Sequence, residues 1–532
     1  MPARPRPGSP TPATLGWLCW LVALLAGAAA TAAPPGSPPG HALFTDGRLR
    51  TFRIEVTGPA LEALRKSERS YTRATVREGD RVYVDVGVHL KGMGSFQPLD
   101  QKPSFAVKFD KYTPDQEYDG LSKFMLNNSV QDPTYLAESL STSLFRDAGV
   151  PAARVTHARV EFNGRPLGLY VLIEAMNKDF LRQHFRSADG NLYEAYLQDI
   201  DQRLDQDSGD DTSQQDLKRL LEVCRLPGTE ERWRRLPEVL DVDRYVAHCA
   251  VEMFIAHTDG YAMNRNNYRL YCEPGAGRFA MIAHGADWGF ANTGAPIRPP
   301  TGSLITRAVI GTPQGRQLYN ERVRPLFTNV FRLDLLSNRV ATAVARLKSG
   351  ARDEAEARTF AGYGTEMQRR FAARHETVAR LLALPDPKPL PFDARGVATL
   401  GGWQTDRKGG QSTLDIAPVE GRLALSIKAG AGGCTASWRT TVILPAGKFR
   451  FTGDVRTTGV TSAKDDPTEG AALRISGGKR LQTSVGDTAW TRASYDLEVT
   501  TEGEERTLVC ELRAQAGQAW FALDSLRLER LP

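Results

Sequence analysis

Cysteine is scarce in this chain of 532 residues: six in all, none in a C-x-x-C pair and none at zinc-like spacing, which argues against a thiolate metal site. An excess of one charge is missing too. The formal charge of +6 becomes +4 once Arg4 and Arg6 are set aside with the leader described below, too even a balance for a nucleic-acid footprint. Past the N-terminal region no run is long and apolar enough to span a bilayer.

The N-terminal region is the exception. Arg4 and Arg6 precede "LGWLCWLVALLAGAAA", and Ala30-Thr31-Ala32 follows, the order of a secretory signal cleaved near Ala32 or Ala33. The run falls short of the roughly 20 apolar residues a spanning helix needs, so export is expected in preference to a membrane anchor, with the mature chain periplasmic, cell-surface or extracellular. Cys19 leaves with the leader. Of the other cysteines, Cys434 and Cys510 fall close enough in type of segment for an exported β-unit to bridge them, and two free buried thiols fit equally well.

Proline and glycine mark the divisions. "PPGSPPG" at 34–40 cannot join a helix or a central strand, and "LPDPKPLPFD" at 384–393 follows the helix-period stretch "EMQRRFAARHETVARLLAL". The expected layout is a signal peptide (1–33), a Pro/Gly linker (34–41), a first folded unit (42–385), a Pro-rich linker (386–392) and a second unit (393–532). The second unit alternates apolar and polar residues in short runs such as "LALSIKA" and "TLVCELRA", the pattern of an all-β sandwich. Its "GDTAWTRASYDLEV" and "AWFALDSLRL" segments resemble a jelly roll of the carbohydrate-binding, galactose-binding-like type. Trp403, Trp438, Trp490 and Trp520 would then be either core residues or platforms for a glycan.

The first unit begins with strand-like alternation ("RTFRIEVTG", "RVYVDVGVHLKG", "SFAVKFDKY"), and helices dominate later, the order of an α+β enzyme with a sheet-rich N-lobe. The acidic run "DIDQRLDQDSGDDTSQQD" at 199–216 lacks the closing Glu of a calcium loop and reads as a solvated loop.

Chemistry concentrates in "HTDGYAMNRNNYRLY" at 257–271. Phosphoryl transfer to a hydroxyl needs an Asp for the acceptor proton, an Asn a few residues on for a metal, and a second Asp gripping the metal that bridges the phosphates. Asp259 and Asn264 have the first spacing, and Asp287-Trp288-Gly289 has the form of the second motif. The intervening "NNYRLYCEPGAGRFAMIAHGA" reads as two strands joined at "EPGAG", which would return Asp287 towards Asp259. Gly92-Met93-Gly94-Ser95 interrupts two strands and would leave backbone amides open to phosphate, or form a simple turn. Lys102 and Lys108 are the cations that follow. Lys108 lies in the alternating "FAVKF", where a charge requires a partner or ligand unless it faces outward. Glu138, in the next helix, would orient whichever lysine is used or pair at the surface.

Taken in order, "VGVHLKGMGSFQPLDQKPSFAVKFDKY", "GLSKFMLNNSVQDPTYLAESLSTSLFRDAGVPAARVTHARVEFNGRPLGLYVLIEAMNKDFLRQHF", "GNLYEA" and "HTDGYAMNRNNYRLY…GRFAMIAHGADWGF" resemble the CotH (spore coat protein H) kinase family over most of residues 50–330. The resemblance implies an atypical protein-kinase-like bilobal domain with a helical C-lobe. It also implies transfer of phosphate from ATP, with Mg or Mn, to Ser or Thr of an extracytoplasmic protein. The family's catalytic Asp falls on Asp259, its metal Asp on Asp287, its Asn group on Asn264, Asn266 and Asn267, and its basic segment on Lys102 and Lys108. "LIEAMNKDFL" holds the place of the segment linking the lobes, which sets Glu174 beside the adenine or at a plain strand-to-helix junction. Where many relatives read "NLYK", this chain has Asn191-Leu192-Tyr193-Glu194. Two other classes remain: a non-catalytic surface or glycan-binding protein on a kinase-like scaffold, and a glycosidase using Asp259 and Asp287 as paired carboxylates. The Asn cluster and the upstream lysines do not suit the glycosidase.

Overall fold

A computed structural model of the chain describes residues 37–210, 212–385, 388–462, 466, 468–500 and 503–532. The secretory leader expected at 1–33 lies outside the described residues. The described part is of mixed α and β structure, and no helix in it is long and apolar enough to cross a membrane.

Alternation in the first third produces a closed seven-stranded barrel. After the short helix α1 (His41–Thr45), the strands are β1 (Arg50–Glu55), β2 (Thr72–Glu78), β3 (Arg81–Lys91), β4 (Ser104–Lys108), β5 (Lys123–Asn127), β6 (Val155–Phe162) and β7 (Arg165–Glu174). They pair in the order β1-β2-β3-β4-β5-β7-β6, and β1 closes the ring by pairing parallel to β6. Two helices interrupt the strands, α2 (Gly58–Lys66) and α3 (Ala137–Asp147). Inward positions two apart, such as Val88 and Leu90, Phe105 and Val107, and Phe124 and Leu126, fill the barrel. The intervening residues of the same strands, His89 and Lys91 on β3 and Lys108 on β4, therefore lie on the outer wall.

Helix α4 (Lys178–His184) leads to a small second sheet, built from β8 (Asn191–Ala195), β9 (Asp205–Ser208), β10 (Tyr268–Cys272) and β11 (Phe279–Ala283) in the order β11-β10-β8-β9. Strand β9 falls within the acidic run read as a loop. Pairing with β8 satisfies its backbone, and Asp207 is neutralised by Arg269 of β10. Around this sheet pack α5 (Gln215–Cys224), α6 (Thr229–Val239), α7 (Val242–Phe254), α8 (Tyr261–Asn264), α9 (Leu304–Val309), α10 (Pro313–Asn329), α11 (Leu333–Ser349) and α12 (Glu354–Ala383), over a separate apolar core.

The remaining strands form an all-β unit with its own core: β12 (Val397–Thr399), β13 (Gln404–Val419), β14 (Arg422–Leu444), β15 (Gly447–Thr461), β16 (Gly470–Ile475), β17 (Gly486–Val499), β18 (Glu504–Ala514), β19 (Ala516–Ala522) and β20 (Arg527–Leu531). The long β14 pairs with β19 near its start and with β18 near its end. Cys434 and Cys510 are buried free thiols, Cys434 facing Ala514 and Cys510 facing Trp438 in the β14–β18 register. Trp438 is a core residue whose indole N–H donates to Ser426 O at 3.0 Å, and Trp403 packs against the same core.

One ion pair clamps the barrel to the helices. Arg159 of β6 donates to both carboxylate oxygens of Glu356 at the start of α12, at 3.1 and 2.5 Å, and to Gly350 O. Burial works to raise the Glu356 pKa, but the hydrogen bonds from Arg159 and Arg352 outweigh it and hold the carboxyl at about 2. A carboxyl depressed on folding stabilises the native state above its unfolded pKa, and that stability is lost as pH falls through the folded value. Glu356→Gln is therefore expected to lower the Tm at pH 7 by several degrees and to change it little near pH 2, measured by calorimetry at both.

Candidate active site

Helix α7 delivers the polar stretch at 257–267. Its last-turn Glu252, fully buried, accepts hydrogen bonds from the backbone N–H of Tyr261 (2.7 Å) and Ala262 (3.2 Å), and so caps the short α8 just beyond Asp259. Only glycine fits at 260: a Cβ there would lie 2.2 Å from Glu252 Oε1. Burial pushes Glu252 up to about 8, against the two amide bonds that favour its charge. Glu252→Ala would leave two amides without their acceptor and is expected to destabilise the fold by about 2–4 kcal/mol. Circular dichroism melts would measure this.

The three asparagines serve Asp259. Asn264 Nδ2 donates to Oδ1 at 2.7 Å, while Asn266 and Asn267 donate to Oδ2 at 3.0 and 2.8 Å. Asn266 is fixed in turn by accepting from Leu197 N at 3.1 Å. Arg265 and Asn267 take left-handed φ of 54° and 50°, which turns the loop into β10. Strands β10 and β11 then form the antiparallel hairpin, with Tyr268 opposite Ala283, so the chain comes back to where it left. Gly285 meets Asn267 so closely that a Cβ would lie 2.5 Å from its Oδ1, and Gly289 would clash with Ser141 Oγ of α3 at 2.3 Å. The glycine of Asp287-Trp288-Gly289 is thus dictated by contact with α3.

Asp287 sits in the turn between these contacts. Burial, with the negative charges of Asp132 and Asp259, raises its carboxyl to about 6 against the pull of its own backbone N–H and Lys91. Glu138, in the first turn of α3 and 4 % exposed, is pushed to about 8 by burial and by Asp287, with Lys91 and the Ala286 amide opposing. Asp132 caps the same helix, accepting from Thr134 N (2.9 Å) and Ala137 N (2.8 Å). The cation of the cluster is Lys91, the last residue of β3. Its ammonium donates to Asn127 Oδ1, and burial depresses its pKa against the attraction of Glu138, Glu194 and Asp287. Mutually repelling buried carboxylates with Lys91 among them form a donor set whose chemistry would suit a divalent cation carrying an anion.

The sequence profile described as "CotH kinase protein" matches residues 88–377, more than half of the chain. This chain belongs to the CotH kinase protein family. Among curated proteins, the inner spore coat protein H of Bacillus subtilis (strain 168) is 23% identical over 276 residues, covering 47% of this chain and 73% of the relative. Solved structures that align include the Helicobacter pylori proinflammatory kinase CtkA, 8% identical over 50% of this chain and 94% of that one, with a TM-score of 0.25. Another is TmCBM61 in complex with β-1,4-galactotriose, 18% identical over 25% of this chain and 91% of that one, with a TM-score of 0.19.

Within this chain the residues singled out by sequence separate into two groups. Asp259, Asn264, Asn267, Asp287 and Glu138 come together, and Gly92, Gly94 and Ser95 follow Lys91 directly. Gly92 has φ +104°, and Gly94 has only Gln131 within reach of a Cβ, at 3.6 Å, so the loop keeps an open side. The side chains of Lys102, Lys108 and Glu174 have other partners, although the Lys102 carbonyl shares the Asn128 amide with that of Ser95, at 2.9 and 3.1 Å. Lys102 donates to Tyr135 Oη at 2.7 Å over the Tyr135 and Tyr170 rings, and burial lowers it to about 8. Lys108 lies 3.8 Å from Asp110 and faces Lys123 across β4–β5. Glu174 accepts from Arg154 Nε at 3.0 Å and Gln183 at 3.0 Å, a junction between β7 and the segment entering β6.

Sequence reasoning passed over Lys91, Asp132 and Glu252. Lys91 had a usable signal, since it stands directly before the Gly-Met-Gly-Ser turn at a strand end; Asp132 and Glu252 had none. Glu194, the departure from "NLYK", pairs with Arg269 at 2.6 Å in the β8–β10 register, with His284 at 3.4 Å. Although burial opposes it, that pairing holds Glu194 below the usual carboxylate range. The acidic substitution thus arrives with its own counter-charge.

Proposed function

We propose that this chain is an exported protein kinase that transfers the terminal phosphate of ATP to Ser or Thr of an extracytoplasmic protein, with Mg or Mn. The observation that carries the reading is the meeting of Lys91, Glu138 and Asp287, from three distant stretches, in one buried charge cluster that also includes the field of Asp259. Asp287 and the Asn264 carbonyl oxygen would hold the cation, which supplies neutralisation of phosphate charge. Lys91 would contact phosphate oxygens, with Glu138 keeping its ammonium in place, and the Gly92–Ser95 turn would cover them with backbone amides. Asp259, its carboxylate fixed by three amides, would accept the hydroxyl proton as the acceptor oxygen bonds to phosphorus and the bond to the departing ADP breaks. The same fan of amides weighs against Asp259 as the acid of a glycosidase pair.

In this reading residues 42–385 are one bilobal catalytic unit, the barrel and helices forming its lobes. Residues 393–532 are a jelly-roll module that docks it to a surface or glycan. The test is incubation of the leaderless chain with labelled ATP, Mg or Mn and a panel of protein acceptors. Labelling, together with a nucleotide-dependent thermal shift, is expected; neither signal under any metal overturns the reading.

A further inference from the structure

Just ahead of the 257–267 loop, the buried end of α7 gathers metal-ligating side chains that phosphate transfer does not use. His248 and Cys249 each stand about one turn before Glu252, so all three converge on adjoining faces of the helix. One donor atom from each lies within 4.8 Å of the other two, and His248 Nδ1 is 3.8 Å from Glu252 Oε2. His257 opens the loop, its backbone N–H donating to Glu252 O at 2.9 Å. All four residues are buried.

The protein leaves these groups short of partners. His248 is 1 % exposed, yet its Nδ1, which points at Glu252, meets no hydrogen-bond partner among the described residues. The ring of His257 faces the His284 backbone without forming a hydrogen bond of good geometry. Cys249 has the Tyr245 hydroxyl for a neighbour, and that hydroxyl is already bonded to Thr306 at 2.6 Å. Glu252 is held as a carboxylate would be, with an amide on each oxygen, but no lysine or arginine among the described residues offsets its charge. Each of those oxygens keeps a second lone pair. Buried charges in proteins are paired or coordinate a metal, and the pair is missing here.

We propose that His248, Cys249 and Glu252 bind one zinc ion, which fastens the end of α7 to the loop that carries Asp259. The fourth position falls to His257 or to a water molecule. A thiolate, an imidazole and a carboxylate suit zinc, whereas Mg and Mn favour oxygen-only sets. Bond lengths of about 2.0–2.3 Å at a tetrahedral zinc put donors about 3.3–3.8 Å apart, so small side-chain rotations close the present spacing. On binding, the thiol proton leaves and the sulfur lone pair goes to the metal, with no change of oxidation state. Because the cluster is sealed, the ion enters as the chain folds. Paired cysteines are the usual sign of such a site; His248-Cys249-x-x-Glu252 has one, and rules for cysteine spacing pass over it. The inference stands apart from the kinase reading.

The full leaderless chain, untagged, is purified without chelator, and a portion is unfolded, stripped and refolded with zinc, with cobalt or with neither. Elemental mass spectrometry is expected to find about one zinc per chain in the native and zinc-refolded protein. Zinc should raise both the folded yield and the Tm. The cobalt form should show the intense near-ultraviolet band of a thiolate bond together with the visible bands of tetrahedral coordination. Cys249→Ser, which keeps the side chain's size, should lose that ultraviolet band and most of the zinc, and His248→Gln should lose zinc as well. Asp287→Asn should keep it, since the acids around Asp287 are a separate set. Less than roughly a tenth of an equivalent of zinc in the folded parent, or a cobalt form without the thiolate band, overturns the proposal. So does zinc content equal in the parent and in folded Cys249→Ser and His248→Gln, or zinc that is lost in Asp287→Asn and kept in Cys249→Ser.

Discussion

Asp287→Asn is expected to give a folded protein whose phosphate transfer falls by at least about a thousandfold, the scale on which a preorganised charge at a reacting centre acts. The change keeps shape and removes the carboxylate proposed to hold the cation, which lies in the field of Lys91 and Glu138. Stability should move the other way. Asp287 is raised on folding from an ordinary 3.8 to about 6, chiefly by burial and then by Asp132 and Asp259. A carboxyl raised on folding stabilises the native state below its unfolded pKa, and that contribution is lost as pH rises through the folded value. At pH 8 the ionised side chain therefore strains the cation-free protein, and Asp287→Asn should melt a few degrees higher than the parent, with the gap closing near pH 4. Mg or Mn should raise the parent's Tm and leave the variant's unchanged. Activity within tenfold of the parent, or an equal metal shift in both, would show that Asp287 does not organise the site.

Lys91→Met should be nearly as damaging, lowering kcat/KM by about a hundredfold to ten-thousandfold, while Lys102→Met and Lys108→Met stay within a few fold. The contrast follows from location. Lys91 alone of the three lies in the field of Glu138 and Asp287, whereas Lys102 is held against two tyrosine rings and Lys108 beside Asp110. Lys102→Met should instead show itself in the melt, because Tyr135 loses its donor. Steady-state kinetics with varied ATP, together with nucleotide thermal shifts of all three variants, would decide. If Lys108→Met or Lys102→Met abolished transfer and Lys91→Met did not, the assignment of the phosphate contact would have to be moved.

The two halves of the site differed in how readable they were. Asp259, Asn264, Asn267 and Asp287 lie in under thirty residues, joined by a hairpin whose turn is written in "EPGAG", and local turn chemistry is enough to see them meet. The lysine was different. In "FAVKF" the charge of Lys108 stands out against its neighbours, but alternation says only that Lys108 and Val107 face opposite sides of a strand. Lys91 and Lys108 share the outer wall of the barrel, and what separates them is that Lys91 ends its strand at Asn127, in the field of Glu138 and Asp287, residues far from it along the chain. Glu252 and Asp132 read as a helix residue and a turn residue, since their partners are backbone amides and no side-chain pattern announces them.

The sequence alone determined the periodicities, and with them the strand-rich opening, the helical middle and the all-β end. It also determined the family, because the ordered motifs are local strings. Only the tertiary structure decided which cation stands among the carboxylates, and that Glu194 carries its own arginine. Burial and electrostatic field are sums over residues far apart in the chain, and no window along it contains them.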